Sequence, residues 1–364
     1  MSQFDTESEN DEYGVSVCIP CFNEAEGIES AVEEILAALD VRPEDEARAE
    51  IILVDDGSED QTRQVIDRLQ ETRSTDRVGI VALGFDRNRG RGAAVRTAIQ
   101  ASRGKYVVCL DADLSYDTSH LARIMDSFKD DPSTDVVVVS PYMRGGSTTG
   151  VPWNRLFVSR VANWILAGFF EGKLRTVTCV VRGYRGDFVR GLPAQSDGKG
   201  AHLEMLRLAS VAGANMVEIP GHLNWRPDRR ASARRWIPAK KVTTAARQHV
   251  LYGMLVRPSR LLKYVAIALA LVAAWEAGVI ASATVSEWGD EGRFFRDMWI
   301  GLSASFAQSP HTFVILGLSS LIAVQIGLFL VVLKVLQLQQ EETMRLLIGL
   351  HRALPHVERE SCVD

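Results

Sequence analysis

The chain has 364 residues, 46% of them hydrophobic and 24% charged, with a formal net charge of −5. That is long and apolar enough for a full globular domain with material left over. The start has no basic stretch, apolar core and small-residue cleavage site, which argues against a cleaved secretory signal. The odd count of five cysteines argues for free thiols over a disulfide framework.

Residues 1–12 carry five acids and no base and read as a disordered tail. Strand and helix patterns then alternate. Val15–Pro20 is an apolar strand, and Glu24–Leu39 has helical spacing at Ile28, Val32, Ile35, Leu36 and Leu39. Ile51–Val54, Val78–Leu83, Tyr106–Leu110 and Val136–Val139 are further strands. Helices are expected over Gln61–Glu71, Gly92–Ser102 and His120–Phe128. Such alternation implies a mostly parallel α/β sheet, in which ligands bind beyond the carboxyl ends of the strands. Cys18 and Cys21 have redox or zinc spacing. No second Cys pair or His pair accompanies them; Cys18 and Cys109, within apolar runs, read as buried small hydrophobes.

After the fifth strand the pattern changes. Trp153–Phe170 is an aromatic helix with Arg155, Ser159 and Arg160 along it, suited either to the membrane–water boundary or to packing on the sheet. Ala201–Val211 is a helix and Met216–Ile219 a short strand. Arg229–Arg257 is a basic helical stretch suited to anionic lipid headgroups. Leu261–Thr284 and Thr312–Leu333 have the length and composition of membrane spans, with Glu276 the costly residue of the first. From Arg226 to Lys263 there are eleven Lys or Arg and one Asp, whereas four acids oppose Arg293 and Arg296 between the spans. Basic flanks stay on the cytosolic side, so the amino-terminal region and the tail after Lys334 are both expected in the cytosol. The expected division is an acidic tail (1–12), a catalytic domain (13–228), a basic juxtamembrane segment (229–260), two spans (261–334) and a cytosolic tail (335–364).

Chemistry concentrates at the strand ends. Asp111-Ala112-Asp113 closes an apolar run, and two clustered carboxylates there need a partner. A hard divalent cation that keeps room for phosphate oxygens is the cheapest one. Asp55-Asp56-Gly57-Ser58 ends the second strand; Ser58 can cap the following helix, and Asp55 or Asp56 can face a nucleobase or ribose. Arg87-Asn88-Arg89-Gly90-Arg91-Gly92 precedes a helix whose free N–H groups, glycines and arginines suit a diphosphate, though it matches neither the dinucleotide fingerprint nor the Walker loop.

In this order, Pro20-Cys21-Phe22-Asn23-Glu24, Asp55-Asp56-Gly57-Ser58 with Asp60 and Thr62, Asn88 with Gly90 and Gly92, and Asp111-Ala112-Asp113 resemble the family 2 glycosyltransferases of GT-A fold. Arg155 with Ser159 and Asn163, Arg182-Gly183-Tyr184-Arg185, Glu204 and the basic segment before apolar helices resemble the polyprenol-phosphate glycosyltransferases, the dolichol-phosphate mannose synthase type. The resemblance implies an α/β GT-A fold followed by interfacial helices and two transmembrane helices. It implies an integral membrane protein of a prokaryotic plasma membrane that moves a hexose from a GDP- or UDP-sugar to a polyprenyl phosphate with inversion. Mg²⁺ or Mn²⁺ is the implied cofactor; the partners are donor, lipid acceptor and membrane, with no nucleic acid. Two helices alone bury little surface in lipid, which makes a homo-oligomer of the protein a further candidate partner.

Residue by residue, the resemblance puts Pro20, Phe22, Glu24, Asp55, Asp56, Asn88, Gly90 and Arg91 at the nucleotide. Asp111 and Asp113 fall at the sugar and metal, with Ser115 a weaker ligand where the synthases often have Gln. Arg144, Arg155, Ser159, Arg229, Arg230 and Ser232 fall at the acceptor phosphate or diphosphate, with Arg182 and Glu204 as further site residues. Pro141 stands where an Arg is common, with Arg144 as its substitute, and Thr176 stands where an Asp is common. Two alternatives remain: a transferase of this fold acting on a glycan, lipid or protein, which needs a general base, and a non-catalytic membrane scaffold.

Overall fold

The computed structural model describes residues 13–40, 48–167, 174–198, 200–225, 259–286 and 294–353. The chain divides into two compact units, Met1–Leu251 with Met344–Asp364, and Tyr252–Thr343.

The first unit opens with β1 (Tyr13–Cys21), α1 (Ile28–Asp40), β2 (Arg48–Asp55), α2 (Thr62–Arg73), β3 (Val78–Gly84), α3 (Arg91–Ala101) and β4 (Gly104–Cys109). It continues through α4 (Ser119–Asp130), β5 (Val136–Ser140), β6 (Ser147–Thr149), α5 (Trp153–Ala167), β7 (Arg182–Arg185), α6 (Gly186–Arg190), α7 (Ala201–Val211), β8 (Met216–Pro220) and β9 (His222–Asn224). Seven strands form one sheet in the order β3-β2-β1-β4-β7-β5-β8. β1 pairs parallel with both β2 and β4, so the chain reverses its direction of sheet growth between β1 and β4. Crevices at such switch points are where open α/β sheets bind ligands. Only β7 runs antiparallel to its neighbours in this sheet, lying between β4 and β5.

The apolar runs form strands because both faces of the sheet are covered. Val15, Val17, Ile19, Ile51, Leu53, Val108, Val137 and Val139 are fully buried, as expected for strands sandwiched between helices. The helices contribute Ile28, Val32, Ile35, Ile66, Leu121, Ile124 and Phe128 to the same core. Cys18, Cys21, Cys109 and Cys179 are buried free thiols. Burial raises the pKa values of Cys18, Cys21 and Cys179, so these thiols are inert small hydrophobes.

Several expectations shift. The first helix begins at Ile28, four residues after Glu24, because the backbone N–H groups of Asn23, Glu24 and Ala25 are taken by Ser58, Thr62 and Asp60. β7 is absent from the periodicity reading because Arg182-Gly183-Tyr184-Arg185 is not an apolar run. β6 and β9, three residues each, pair in a separate two-stranded ribbon. The acidic tail, Phe169, Phe170, Cys362 and the basic stretch Arg229–Arg257 lie outside the described residues.

The second unit contains α8 (Ser259–Ser286), α9 (Phe294–Gln308) and most of α10 (Pro310–Ala353). Leu262–Val285 and Pro310–Leu347 are long and apolar enough to cross a membrane, with mean hydropathies of 2.0 and 2.4. Only 6% of each apolar window is buried within the chain. Leu271, Trp275, Leu328 and Val331 stand exposed along them. α9 is a helix where a plain loop was expected, and it packs closely on α8 at Gly301 beside Thr284. α10 continues past the expected end of the second span at Leu333.

Candidate functional site

Four turns meet beyond the carboxyl ends of the strands, laced together by side chains that accept backbone N–H groups. Asn23, in the left-handed region at φ 55°, donates its N–H to Ser58 Oγ (2.9 Å) and accepts the N–H of Glu59 (2.9 Å). Glu24 N–H donates to Thr62 Oγ1 at 2.8 Å. The β1 turn is thereby fixed on the β2 turn, with Pro20 and Glu24 half-buried and the Phe22 ring exposed. Asp60 and Thr62 serve this lacing, since Asp60 accepts the Thr62 N–H at 2.9 Å.

Asp55 and Asp56 are both buried. Asp55 accepts the N–H of Ser58 at 3.1 Å and also its hydroxyl. Asp56 Oδ1 accepts the N–H groups of Arg89 (2.8 Å) and Gly90 (2.9 Å). Asp56 therefore grips the Arg87–Gly92 turn. The α3 start also differs from the expected open anion cradle. Gly92 N–H donates to the Asp197 carbonyl at 2.7 Å, and Ala93 N–H to that carbonyl and to Gly90 O. A helix start leaves its first N–H groups orphaned, and here the 195–198 loop takes them. What the turn can offer an anion lies on its side chains: Asn88 is exposed with an amide to donate, and the charged Arg91 forms an ion pair with Asp111.

Asp111 and Asp113 follow β4 directly and both keep partial exposure. Asp113 Oδ1 accepts the Ser115 N–H (2.9 Å) and hydroxyl (2.7 Å). Ser115 is itself buried and orients Asp113. Between them Leu114 sits at φ 43°, a left-handed conformation that costs a bulky residue energy and is typical of functional turns. Ser115 O accepts the N–H of Asn224 at 2.8 Å, and His120 Nε2 accepts the N–H of His222 at 3.0 Å. β9 is thus fastened to the turn that carries the two aspartates. Beyond β9, Trp225 N–H bonds Thr149 O at 2.9 Å, and the Arg155 guanidinium lies 4.8 Å from the Trp225 ring centroid. On α5, Ser159 Oγ accepts the Tyr142 hydroxyl at 2.8 Å, and Asn163 reaches the Ser159 carbonyl and Thr178. Arg144 lies exposed beyond β5. Arg229, Arg230 and Ser232 lie outside the described residues.

Two site candidates have internal duties. Arg182 is fully buried and donates to Val177 O at 2.6 Å and to His202 O. Glu204 accepts the N–H groups of Gln195 (3.1 Å) and Ser196 (2.7 Å), which holds the loop that caps α3.

His202 is a residue that spacing arguments pass over. It opens α7, is 6% exposed, and its Nε2 has no partner among the described residues. Burial, then the charges of Arg91 and Arg182, depress its pKa well below the usual imidazole range. His120 is also depressed, chiefly by burial. A lone His carries no sequence signal; only the fold shows that it is buried, with the charges of Arg91 and Arg182 acting on it. The sign for stability follows from linkage. Below the ordinary His range the unfolded chain takes up protons that the folded rings refuse, so stability falls as pH falls, by up to about 1.4 kcal/mol per pH unit for each ring. Thermal melting of the full chain is expected to drop between pH 7 and pH 5, and His202→Gln is expected to reduce that drop.

Among the described residues no group of three or more His, Cys, Asp or Glu gathers to hold a metal. Asp111 and Asp113 supply hard carboxylate oxygens alone. That donor set fits Mg²⁺ or Mn²⁺, which take oxygen ligands and draw the rest from phosphate and water. It does not fit a closed zinc site.

Residues 16–190 match the sequence model of Glycosyl transferase family 2. The segment is similar to that family, and its own fold is mixed α/β with a mostly parallel sheet. Poly-beta-1,6-N-acetyl-D-glucosamine synthase of Staphylococcus aureus (strain COL) is 30% identical over 135 residues, 37% of this chain and 30% of that protein. Glycosyltransferase AglD of Haloferax volcanii is 30% identical over 218 residues, 58% of this chain and 33% of that protein. The chain thus spans about a third of the length of these curated relatives. Among solved structures, glucosyl-3-phosphoglycerate synthase from Mycobacterium tuberculosis, with Mn²⁺, UDP and glucosyl-3-phosphoglycerate, aligns at a TM-score of 0.47 and 18% identity over 65% of this chain and 77% of that one. The mannosyltransferase PcManGT from Pyrobaculum calidifontis, with GDP-Man and Mn²⁺, aligns at 0.41 and 16% over 93% and 85%.

Proposed function

We propose that this protein is a membrane glycosyltransferase that moves a hexose from a UDP- or GDP-sugar to a polyprenyl phosphate, inverting the anomeric centre. The observation that carries this reading is the partly exposed Asp111–Asp113 pair at the β1/β4 switch point, with Arg91 on one side and the Arg155–Trp225 stack joined to the same turn through β9. Two helices of membrane-spanning length and composition add the lipid side.

In this reading Phe22, Pro20, Glu24 and Asp55 surround the nucleoside, with the exposed Phe22 ring available to stack on the base. Asn88 and Arg91 meet the phosphates, and Asp56 keeps their turn in place through Gly90. A divalent cation on Asp111 and Asp113 would neutralise charge on the leaving diphosphate. Arg144, Arg155 and Ser159 bind the acceptor phosphate, to which the sequence adds Arg229, Arg230 and Ser232 as further phosphate-binding candidates. A phosphate oxygen is already largely anionic near pH 7, so attack needs positioning more than a general base. Trp153, Phe157, Val161 and Trp164 form an exposed stripe on α5 next to Arg160, which suits the headgroup boundary. The basic flank before α8 supports a cytosolic catalytic unit.

A hydroxyl-bearing glycan, lipid or protein acceptor is the second reading, favoured by the similarity to a poly-beta-1,6-N-acetyl-D-glucosamine synthase; such an acceptor requires a general base. The test is the full chain in detergent or nanodiscs with labelled UDP- and GDP-hexoses, Mn²⁺ and a polyprenyl phosphate. The expected product is a label that partitions with lipid and is released by mild acid. Label in a water-soluble glycan instead selects the second reading. Absence of transfer and of nucleotide binding would leave a scaffold.

A further inference from the structure

The α3 turn is held far more firmly than a surface turn requires. Asp56 takes two of its N–H groups and the Asp197 carbonyl takes two more. Arg96 pins the capping loop through Ser196 O and Asp197, and Glu204 pins it from the other side. At Gly92 a Cβ would collide with Ser196 O and lie 2.7 Å from Ala201 Cβ, so the turn is pressed against this loop and the α7 start. The backbone of Arg91 is therefore fixed at both sides. Its guanidinium, about one-third exposed, is the part able to move, and it rests on Asp111.

A guanidinium on Asp111 stands on the oxygen that a divalent cation would use. A bare cation must displace it and leave two positive charges close together. A cation that arrives on a diphosphate brings anionic oxygens, which a guanidinium binds well in a forked geometry. We propose that Arg91 is a tethered counter-ion of Asp111, displaced onto the diphosphate when the metal–nucleotide binds, so that the site selects the preformed metal–diphosphate over free metal. This rests on the nucleotide-sugar reading above and adds to it a positioning residue with opposite effects on two ligands. By linkage, metal and nucleotide then strengthen each other's binding by the same factor.

The test uses the full chain in nanodiscs. Mn²⁺ binding is measured by electron paramagnetic resonance without nucleotide, and UDP and GDP binding by calorimetry with and without Mn²⁺. In the wild type, Mn²⁺ alone is expected to bind weakly and to bind at least about tenfold more tightly with the preferred nucleotide, a coupling in the usual range. Arg91→Gln is expected to bind Mn²⁺ alone roughly threefold to tenfold more tightly, because a partly exposed ion pair and a like-charge neighbour are both removed. The same variant is expected to bind the Mn²⁺–nucleotide about tenfold more weakly. Arg91→Lys keeps the charge and loses the fork; it is expected to hold Mn²⁺ binding near wild type and to weaken the nucleotide in part. Melting temperatures check that both variants fold.

Opposite signs in the two titrations support the proposal. An Arg91→Gln variant that binds Mn²⁺ alone no better than wild type overturns it, whether nucleotide affinity falls, as for a plain phosphate ligand, or both fall, as for a structural prop. Failure of the wild type to bind either nucleotide with Mn²⁺ overturns the nucleotide-sugar reading itself, a separate result from unchanged Mn²⁺ binding in a variant whose wild type does bind nucleotide.

Discussion

Asp113→Asn is expected to lower sugar transfer by about a hundred- to a thousandfold, the scale at which enzymes lose one preorganised electrostatic group, while leaving the melting temperature near wild type. The asparagine keeps a carbonyl oxygen for the Ser115 N–H and hydroxyl, the two bonds that shape the turn at 2.9 and 2.7 Å. It removes only the charge. Asp113→Ala removes both, so it is expected to match the asparagine in lost activity and to cost about a further 1 kcal/mol of stability, because Leu114 must hold φ 43° without that support. Turnover by the purified variants at saturating Mn²⁺, beside thermal melts, separates charge from shape. An asparagine variant within about threefold of wild-type turnover would remove Asp113 from the chemistry.

The same two bonds explain what a sequence can and cannot disclose about this site. That Asp111 and Asp113 end a buried strand is legible, because Tyr106–Leu110 is an apolar run and a charge cannot continue it. β1, β2 and β5 are legible for the same reason. β7 is not: its central position is built around Arg182, a buried cation whose partners, Val177 O and His202 O, come from elsewhere in the chain. The direction in which a carboxylate points is equally hidden. Asp56 has the residue type and position of a ribose ligand, yet its oxygens are taken by N–H groups more than thirty residues away. The Arg87–Gly92 turn has the composition of an anion cradle, but the Asp197 carbonyl, about a hundred residues further on, takes its free N–H groups. Local chemistry thus finds the turns, and tertiary contacts decide which of their groups face a ligand. Arg91, a basic residue beside a glycine, is expected at a phosphate from the sequence, and the structure pairs it with Asp111.

Gly57→Ala is expected to be the most damaging single methyl group in the domain, because it acts on fold and site together. Gly57 has φ +65°, which costs a residue with a Cβ roughly 1–2 kcal/mol. Its Cβ would also collide with Arg87 C and Asn88 N and lie 2.7 Å from Arg87 Cα. Those are backbone atoms, so no rotamer change relieves the clash, and the Arg87–Gly92 turn must move. Movement stretches the bonds from Arg89 and Gly90 to the Asp56 carboxylate, each a charged hydrogen bond worth about 1.5–3 kcal/mol. The expected loss is roughly 3–5 kcal/mol, with nucleotide affinity falling at least about tenfold because Arg91 shifts with the turn. Gly213 isolates the conformational part: it has φ +75°, and a methyl group there would meet nothing within 4 Å. Gly213→Ala is therefore expected to cost about 1 kcal/mol and to leave nucleotide binding unchanged. Equal losses in the two alanine variants, read by chemical unfolding and nucleotide titration, would mean that the β2 turn and the Arg87–Gly92 turn do not bear on each other and that Arg91 is positioned by something other than the β2 turn.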